Sequence, residues 1–304
     1  MVGIYRKMTR WVPGASLFCI VMALIAGGVH LAAIWNPAFA DWFNGTVSQF
    51  LRSTMAHITA PLPFSLAEFI VLASPVILVI LIAVCLKKAS RGTRYVWRCM
   101  IGLLSVCAGL YAMFVFHFGV GYRTTSIDHK LDLERRKVTA QELYDTTSIV
   151  TEKLNELAEE IILIEKNGSV RPYSHDTAVK LCVQSYADLA DEYDFIPKLD
   201  VPVKQVVLSE PWTYTHISGV YTYFTGEANI NINYPDYINA FTLAHEMAHQ
   251  RGIARENEAN FIAYLVCINS DDPYLQYAGY LNMFDYLAGP LYSAYRDGHN
   301  GLWD

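Results

Sequence analysis

The sequence predicts an α+β protein in which three N-terminal transmembrane helices precede a mainly helical domain with a small β-sheet. Three long windows near the N-terminus, at 11–40, 69–86 and 99–122, carry almost no charge. Residues 123–304 have the composition of an ordinary soluble protein. In that second part apolar residues recur mainly at helical spacing, and short segments alternate as strands do. Helices beside a small sheet are therefore expected.

The three windows are long enough to cross a lipid bilayer. A helix needs about 20 apolar residues to span the hydrocarbon core, and helices buried in a soluble core are usually shorter and amphipathic. We therefore predict transmembrane helices at about 14–36, 66–86 and 97–120. They make residues 1–122 a membrane anchor that contacts the lipid bilayer, and they leave 123–304 as a separate domain.

Basic residues flank these windows unevenly. Arg6, Lys7 and Arg10 precede the first window, and only Arg52 lies between the first and the second. The short gap between the second and third windows holds Lys87, Lys88, Arg91, Arg94 and Arg98. Because Lys and Arg gather on the cytoplasmic side, we expect a multi-pass protein of the cell membrane with a cytoplasmic N-terminus and an extracytoplasmic domain. Cleavage of a signal peptide after Ala40 is an alternative that leaves this domain outside.

Charge and cysteine content exclude some classes of function. The formal net charge is −6, and no basic stripe or base-stacking motif is present, so no nucleic-acid partner is expected. Only Cys182 and Cys267 lie outside the membrane windows. Their spacing fits no metal motif, and they are either a disulfide pair or two buried thiols.

The domain at 123–304 is expected to contain five helices and two strands. The apolar spacing predicts helices at 140–166, 177–192, about 236–252, 255–269 and 272–296. Strands are expected at 203–209 and 228–233, and the second alternates Ala and Ile with Asn as a half-buried strand does. "NGS" at 167–169 is interpreted as a turn.

The stretch "AHEMAHQRG" at 244–252 carries the main chemical signal. His245 and His249 are four residues apart, so on a helix both imidazoles point to one spot. A zinc ion binds such nitrogens at about 2.0–2.1 Å. Glu246 follows the first histidine and is placed to act on water beside the metal, which is the mechanical meaning of the H-E-x-x-H pattern.

The third zinc ligand is expected from the next helix. Gly252 is suited to end the first helix in a left-handed conformation and to let the chain reverse. Glu256 and Glu258 compete for the metal, because a two-residue offset puts them on nearly opposite faces. We favour Glu256, since Asn260 lies one turn later on the same face and can accept a hydrogen bond from His245 as outer-shell support.

"HEMAH" with "ENEAN" resembles the glutamate zincins, whose second helix reads E-x-x-x-D and supplies a ligand glutamate. This chain has Asn260 in place of that aspartate, and its gap between His249 and Glu256 is shorter than in thermolysin-like enzymes. The resemblance implies a zincin-like metallopeptidase domain at 123–304. It also implies that the strand in "TGEANINI" is an edge strand for an extended substrate backbone.

Three residues are expected near a substrate. Glu227 and Asn229 lie in "TGEANINI", where Glu227 either binds a substrate amine or caps the turn. Tyr277 lies on the last helix and either donates a hydrogen bond to an oxyanion or packs in the core.

The order of the three apolar windows, "GYRTT", "FTGEANINI", "AHEMAHQRG", "ENEANF" and "YAGYL" resembles the bacterial membrane family called domain-of-unknown-function family 3810. The likeness spans nearly the whole chain. It implies a membrane-anchored, zinc peptidase-like protein and names no substrate.

These features predict a membrane-anchored metalloendopeptidase with one zinc ion held by His245, His249 and Glu256. Glu246 would serve as general base in the hydrolysis of an extracytoplasmic peptide or protein substrate. The alternative is a zinc-binding membrane receptor or scaffold without turnover, which would contain the same ligands.

Overall fold

The computed structural model describes residues 12–164, 168–296 and 298, which form an α+β, mostly helical fold as predicted. The chain divides into two compact units. The first comprises Met1–Thr124 together with the short segment Thr222–Gly226. The second comprises Thr125–Tyr221 and Glu227–Asp304. The basic residues predicted to precede the first membrane helix lie outside the described residues.

Three helices of the first unit are long and apolar enough to cross a membrane: α1 (Gly14–Trp35), α4 (Leu66–Ala89) and α5 (Thr93–His117). Their positions confirm the three predicted helices. Their length and composition indicate that the protein associates with a membrane.

Small side chains let α1 and α5 approach closely. Ala26 and Ala33 of α1 and Ala112 of α5 are buried in one apolar cluster. Nearby, the hydroxyl of Ser105 donates to Ser16 at 3.1 Å. Small and hydroxylated residues are typical of helix contacts inside membranes, where close packing and interhelical hydrogen bonds replace the hydrophobic driving force.

The connection between α1 and α4 is helical, which the sequence patterns did not predict. It contains α2 (Pro37–Phe43), one π-helical segment (Asn44–Ser48) and α3 (Gln49–Thr59). Asn36 caps α2 by accepting a hydrogen bond from the Phe39 amide at 3.1 Å, and Pro37 occupies the first turn, where a missing N–H does no harm.

The segment Thr222–Gly226 packs against α3 and α5 within this first unit. The hydroxyl of Thr59 donates to the carbonyl of Thr225 at 3.1 Å, and the Phe114 and Tyr223 ring centroids are 5.3 Å apart. Gly226 has φ +70°, and a Cβ on it would lie 2.7 Å from the backbone nitrogen of Ala56. Only glycine fits this turn, because it combines a left-handed conformation with backbone contact.

The second unit begins with α6 (Ile127–Lys130) and α7 (Ala140–Ala158). A reciprocal capping box between Thr139 and Glu142 starts α7. The predicted helix at 140–166 is too long, because Ile162–Ile164 forms strand β1 and pairs antiparallel with β2 (Gly168–Val170). The contiguous run of Ile and Leu favours a strand over helical spacing. Asn167 of the predicted turn lies outside the described residues.

A three-stranded sheet has the order β3-β5-β4 and comprises β3 (Lys204–Gln205), β4 (Gly219–Thr222) and β5 (Glu227–Ile230). β3 is much shorter than the predicted strand at 203–209, because Ser209 begins helix α9 (Ser209–Thr213). β4 was not predicted. The prediction that residues 228–233 form a half-buried strand is wrong for β5, whose four residues are all buried because it is the central strand.

Four helices form the core of the second unit: α8 (His175–Glu192), α10 (Asp236–Gln250), α11 (Glu256–Ile268) and α12 (Pro273–Arg296). Their positions agree with the predicted helices to within a few residues. Buried residues such as Tyr186, Leu243 and Ile262 pack together between them. Cys182 and Cys267 are buried free thiols in this core.

Candidate metal centre

Helix α10 carries His245, Glu246 and His249 on a rigid backbone. The helix ends in a Schellman motif: the amide of Ile253 donates to Ala248 at 3.1 Å and that of Gly252 to His249 at 2.9 Å. Gly252 has φ +94°, as the sequence predicts for a left-handed residue at this end. The chain reverses there and enters α11 at Glu256.

The side chain of Arg251 anchors the C-terminal end of α10, a role that the sequence did not indicate. Its guanidinium is buried and donates to the carbonyls of Leu199 at 2.6 Å and Met247 at 3.2 Å. It also stacks over the Tyr186 ring at 3.9 Å from the centroid. The hydroxyl of Tyr186 in turn donates to the carbonyl of Ala244, beside the first histidine, at 2.6 Å. This network holds the motif helix against α8.

Glu256 lies against both histidines. Its Oε2 is 3.3 Å from Nε2 of His245, and its Oε1 is 3.5 Å from Nε2 of His249. Hydrogen bonds from His245 and His249 lower the pKa of Glu256 well below its usual range. Burial alone would lower the pKa of His249, but Glu256 and Glu246 outweigh burial and raise it.

Two imidazoles and one carboxylate come together here as possible metal ligands. Two atoms that each lie about 2.0–2.1 Å from a tetrahedral zinc ion are about 3.3 Å apart. The carboxylate–imidazole distances at this site are close to that value. Ligand atoms of His245, His249 and Glu256 all lie within 4.8 Å of one another, and two imidazoles with one carboxylate are a donor set that zinc accepts.

The outer nitrogens of the two histidines have different surroundings. Nδ1 of His249 lies 2.7 Å from the carbonyl of Ile253, the kind of contact that fixes the tautomer of a ligand histidine. Nδ1 of His245 is buried and has no hydrogen-bond partner among the residues that the structure describes. The predicted bond between His245 and Asn260 is not formed among the described residues. The amide nitrogen of Asn260 donates to the hydroxyl of Tyr286 at 2.5 Å. Tyr286 lies 26 residues further along the chain, on α12. Helical spacing on α11 therefore does not indicate this contact.

Glu246 is buried beside the three converging residues. Burial raises the pKa of Glu246 to about 8, while a backbone hydrogen bond from Tyr221 acts in the opposite direction. A cation held nearby would also favour the charged carboxylate. Gly219 lies against this side chain, and a Cβ there would be 2.7 Å from Oε1 of Glu246. Strand β4 therefore both contacts and orients Glu246.

Glu258, the alternative third ligand, is held elsewhere. Its Oε1 accepts hydrogen bonds from the amide of Ile127 at 3.2 Å and from Arg255 at 2.6 Å. It is buried on the face of α11 opposite to the exposed Glu256 side chain. The structure thus brings Glu256, and not Glu258, to the two histidines.

The three residues expected near a substrate are buried or half-buried. Glu227 is only 2% exposed; burial lowers the pKa of Lys204, and the charge of Glu227 acts in the opposite direction. Asn229 is buried and donates to the carbonyl of Val220 at 3.2 Å. Both belong to the central strand β5, so neither is accessible to a substrate in this structure. Tyr277 is half-buried and packs beside Tyr274, with ring centroids 6.4 Å apart.

A family model described as "Protein of unknown function (DUF3810)" matches residues 43–301. No curated protein matches the chain, and no solved structure matches it. The match confirms the family resemblance inferred from the sequence motifs. Its description gives no activity, so the resemblance to the glutamate zincins stays a prediction.

Proposed function

The chain belongs to the DUF3810 family, and we propose that it is a membrane-anchored, zinc-dependent metallopeptidase. One observation carries the proposal: Nε2 of His245 and of His249 face the two carboxylate oxygens of Glu256 at 3.3 and 3.5 Å, with buried Glu246 beside them. Three protein ligands would leave one position of a tetrahedral zinc ion open, as catalytic zinc sites have. When bound there, zinc supplies Lewis-acid activation of water and of a peptide carbonyl.

Glu246 is the residue that moves the proton. A carboxylate at this position takes a proton from the attacking water and returns it to the leaving amine when the peptide bond breaks. The Tyr221 amide and the close approach of Gly219 hold the carboxylate in one place. Burial raises the pKa of Glu246 to about 8, and a cation held by the three ligands would favour the charged carboxylate that acts as the base.

Strand β4 is our candidate for binding the substrate backbone. It lies at the edge of the sheet, whereas β5, the strand expected in this role, is central. Gly219 of β4 also contacts Glu246, so a peptide paired with this edge would pass close to the proposed base. An extended segment of a peptide or protein binds to such an edge through main-chain hydrogen bonds.

The proposal predicts chelator-sensitive cleavage by the purified full-length chain. The full chain is required because Thr222–Gly226, which links β4 to β5, packs in the first unit. We expect about one zinc ion per chain, cleavage of a peptide library, loss of cleavage after treatment with 1,10-phenanthroline, and recovery after zinc is added back.

Two results would count against this function in different ways. A protein that binds zinc stoichiometrically but cleaves no library peptide would support the alternative of a zinc-binding receptor or scaffold. If the protein is purified under metal-replete conditions, incubated with zinc and still holds none, the proposed metal site itself is refuted.

We further propose that the N-terminus is cytoplasmic and that the second unit lies outside the cell. Five basic residues at 87–98, a segment that covers the end of α4, the turn after it and the start of α5, support this orientation, because such residues stay on the cytoplasmic side. Ser90, the residue that directly follows α4 in this segment, is exposed.

Cysteine labelling in intact cells tests this orientation. We expect Ser90→Cys to resist a membrane-impermeant maleimide and Gln141→Cys, at an exposed position of α7, to react. The parent chain gives the background from its native cysteines, and permeabilised cells give the maximum signal for each variant. Labelling of Ser90→Cys alone would reverse the proposed topology.

A further inference from the structure

Helix α3 buries its charged side chain and exposes large apolar ones, the reverse of a surface helix in a water-soluble protein. Its one charged residue, Arg52, is 2% exposed and faces inward. On the outward face Phe50 is 69% exposed and Ile58 is 64% exposed. A helix on an aqueous surface instead buries its apolar stripe and exposes its charges.

The two terminal nitrogens of Arg52 donate hydrogen bonds to groups of the first unit. Nη1 of Arg52 donates to Oδ1 of Asn44 at 2.9 Å and to the carbonyl of His117 at 2.8 Å. Nη2 donates to the carbonyl of Asn44 at 3.1 Å. Arg52 thereby ties α3 to the π-helical segment and to the end of α5.

The outward-facing side chains of residues 42–67 carry no formal charge. Arg52 is the single Asp, Glu, Lys or Arg residue between 42 and 67, and every residue in that range is described. The exposed large apolar side chains there are Trp42, Phe50, Ile58 and Phe64.

Two exposed polar side chains of this region bond back to the preceding helical turn. The Thr46 hydroxyl donates to the carbonyl of Trp42 at 2.6 Å, and Nδ1 of His57 lies 2.7 Å from the carbonyl of Ser53. Such bonds satisfy a side chain without solvent. They lower the cost of placing this surface in a medium that offers few hydrogen bonds.

The outward surface is continuous with helices that the membrane is expected to surround. α2 follows α1 after the single residue Asn36, and α4 begins seven residues after α3 ends. Trp35 at the end of α1 is 83% exposed, and Trp42 is 57% exposed. Tryptophan near the end of a membrane-spanning helix is typical of the boundary between lipid headgroups and acyl chains.

We propose that α2, the π-helical segment and α3 form an interfacial element that lies in the membrane surface. The side chains of Trp42, Phe50, Ile58 and Phe64 enter the boundary between headgroups and acyl chains, to a depth of about 5–10 Å. Arg52 faces the protein and not the lipid phosphates. The occupant of this surface is therefore the phospholipid bilayer. A second copy of the chain is the competing occupant.

Spin-label accessibility in nanodiscs tests this placement. The full-length chain, with Cys19, Cys85, Cys99 and Cys107 replaced by Ala, is reconstituted in phosphatidylcholine–phosphatidylglycerol nanodiscs. A nitroxide is attached at one position at a time: Phe50→Cys, Thr54→Cys or Ile58→Cys on the outward face. Leu81→Cys within α4 serves as the lipid control, and Gln141→Cys serves as the aqueous control.

We expect oxygen to relax the labels at the three outward positions more than a water-soluble nickel chelate does, as at position 81. A preference for the nickel chelate at these positions, as at position 141, would overturn the proposal. Protection from both reagents, with spin–spin broadening that disappears on dilution with unlabelled chain, would assign the surface to a second copy instead. Thr54→Cys exchanges a small exposed side chain, so it keeps the test decisive if either bulky residue proves necessary for folding.

Discussion

Glu246→Gln is expected to lower peptide turnover by roughly 100- to 10,000-fold, the range typical of a lost general base. The amide keeps the shape and volume of the carboxylate and can still accept the hydrogen bond from Tyr221. It cannot take a proton from water. Glu246 is not one of the three residues whose ligand atoms converge, so zinc content should stay at that of the parent chain.

The measurement pairs initial rates on one library peptide with zinc content by mass spectrometry. Glu152→Gln, at an exposed position of α7, is the matched control and should match the parent in both. Parental turnover by Glu246→Gln would refute the proposed role of this residue. Loss of zinc together with activity would show that Glu246 is needed to build the site and not only to move a proton.

Glu256→Ala is expected to lose the metal. One of three protein ligands disappears, and the two histidines alone cannot enclose the ion. The loss of affinity should exceed the roughly 10- to 100-fold that follows when an outer-shell partner of a ligand is removed. Activity should fall with zinc content, because metal binding and the catalytic site are coupled.

Glu258→Gln is the control, two residues further along the same helix. Its amide oxygen can still accept from the Ile127 amide and from Arg255, so the local fold should survive. We expect near-parental zinc content, measured after equilibration with a zinc buffer. Full zinc occupancy in Glu256→Ala with loss in Glu258→Gln would transfer the ligand role to Glu258. Equal retention in both variants would exclude Glu256 as a required ligand.

The sequence by itself determined the elements whose signals are local. Length and lack of charge identified the three apolar helices, because no other structure satisfies a long apolar backbone within a membrane. The spacing of His245 and His249, followed by Gly252, predicted a helix that ends in a left-handed turn. That prediction holds because capping depends on neighbouring residues only. The choice of Glu256 over Glu258 rested on Asn260 as a partner of His245. The structure brings Glu256 to the histidines without that hydrogen bond.

Only the tertiary structure decided which polar groups are buried and what they contact. Asn260 meets Tyr286 and not His245, Glu227 lies inside the central strand, and Arg52 faces the protein. The contacting residues in each case belong to another helix or strand. The periodicity of one segment therefore does not predict these contacts. The burial that raises the pKa of Glu246 to about 8 also arises this way, from β4 packed over α10. Burial is a property of how elements stack, and a single chain segment does not specify its neighbours.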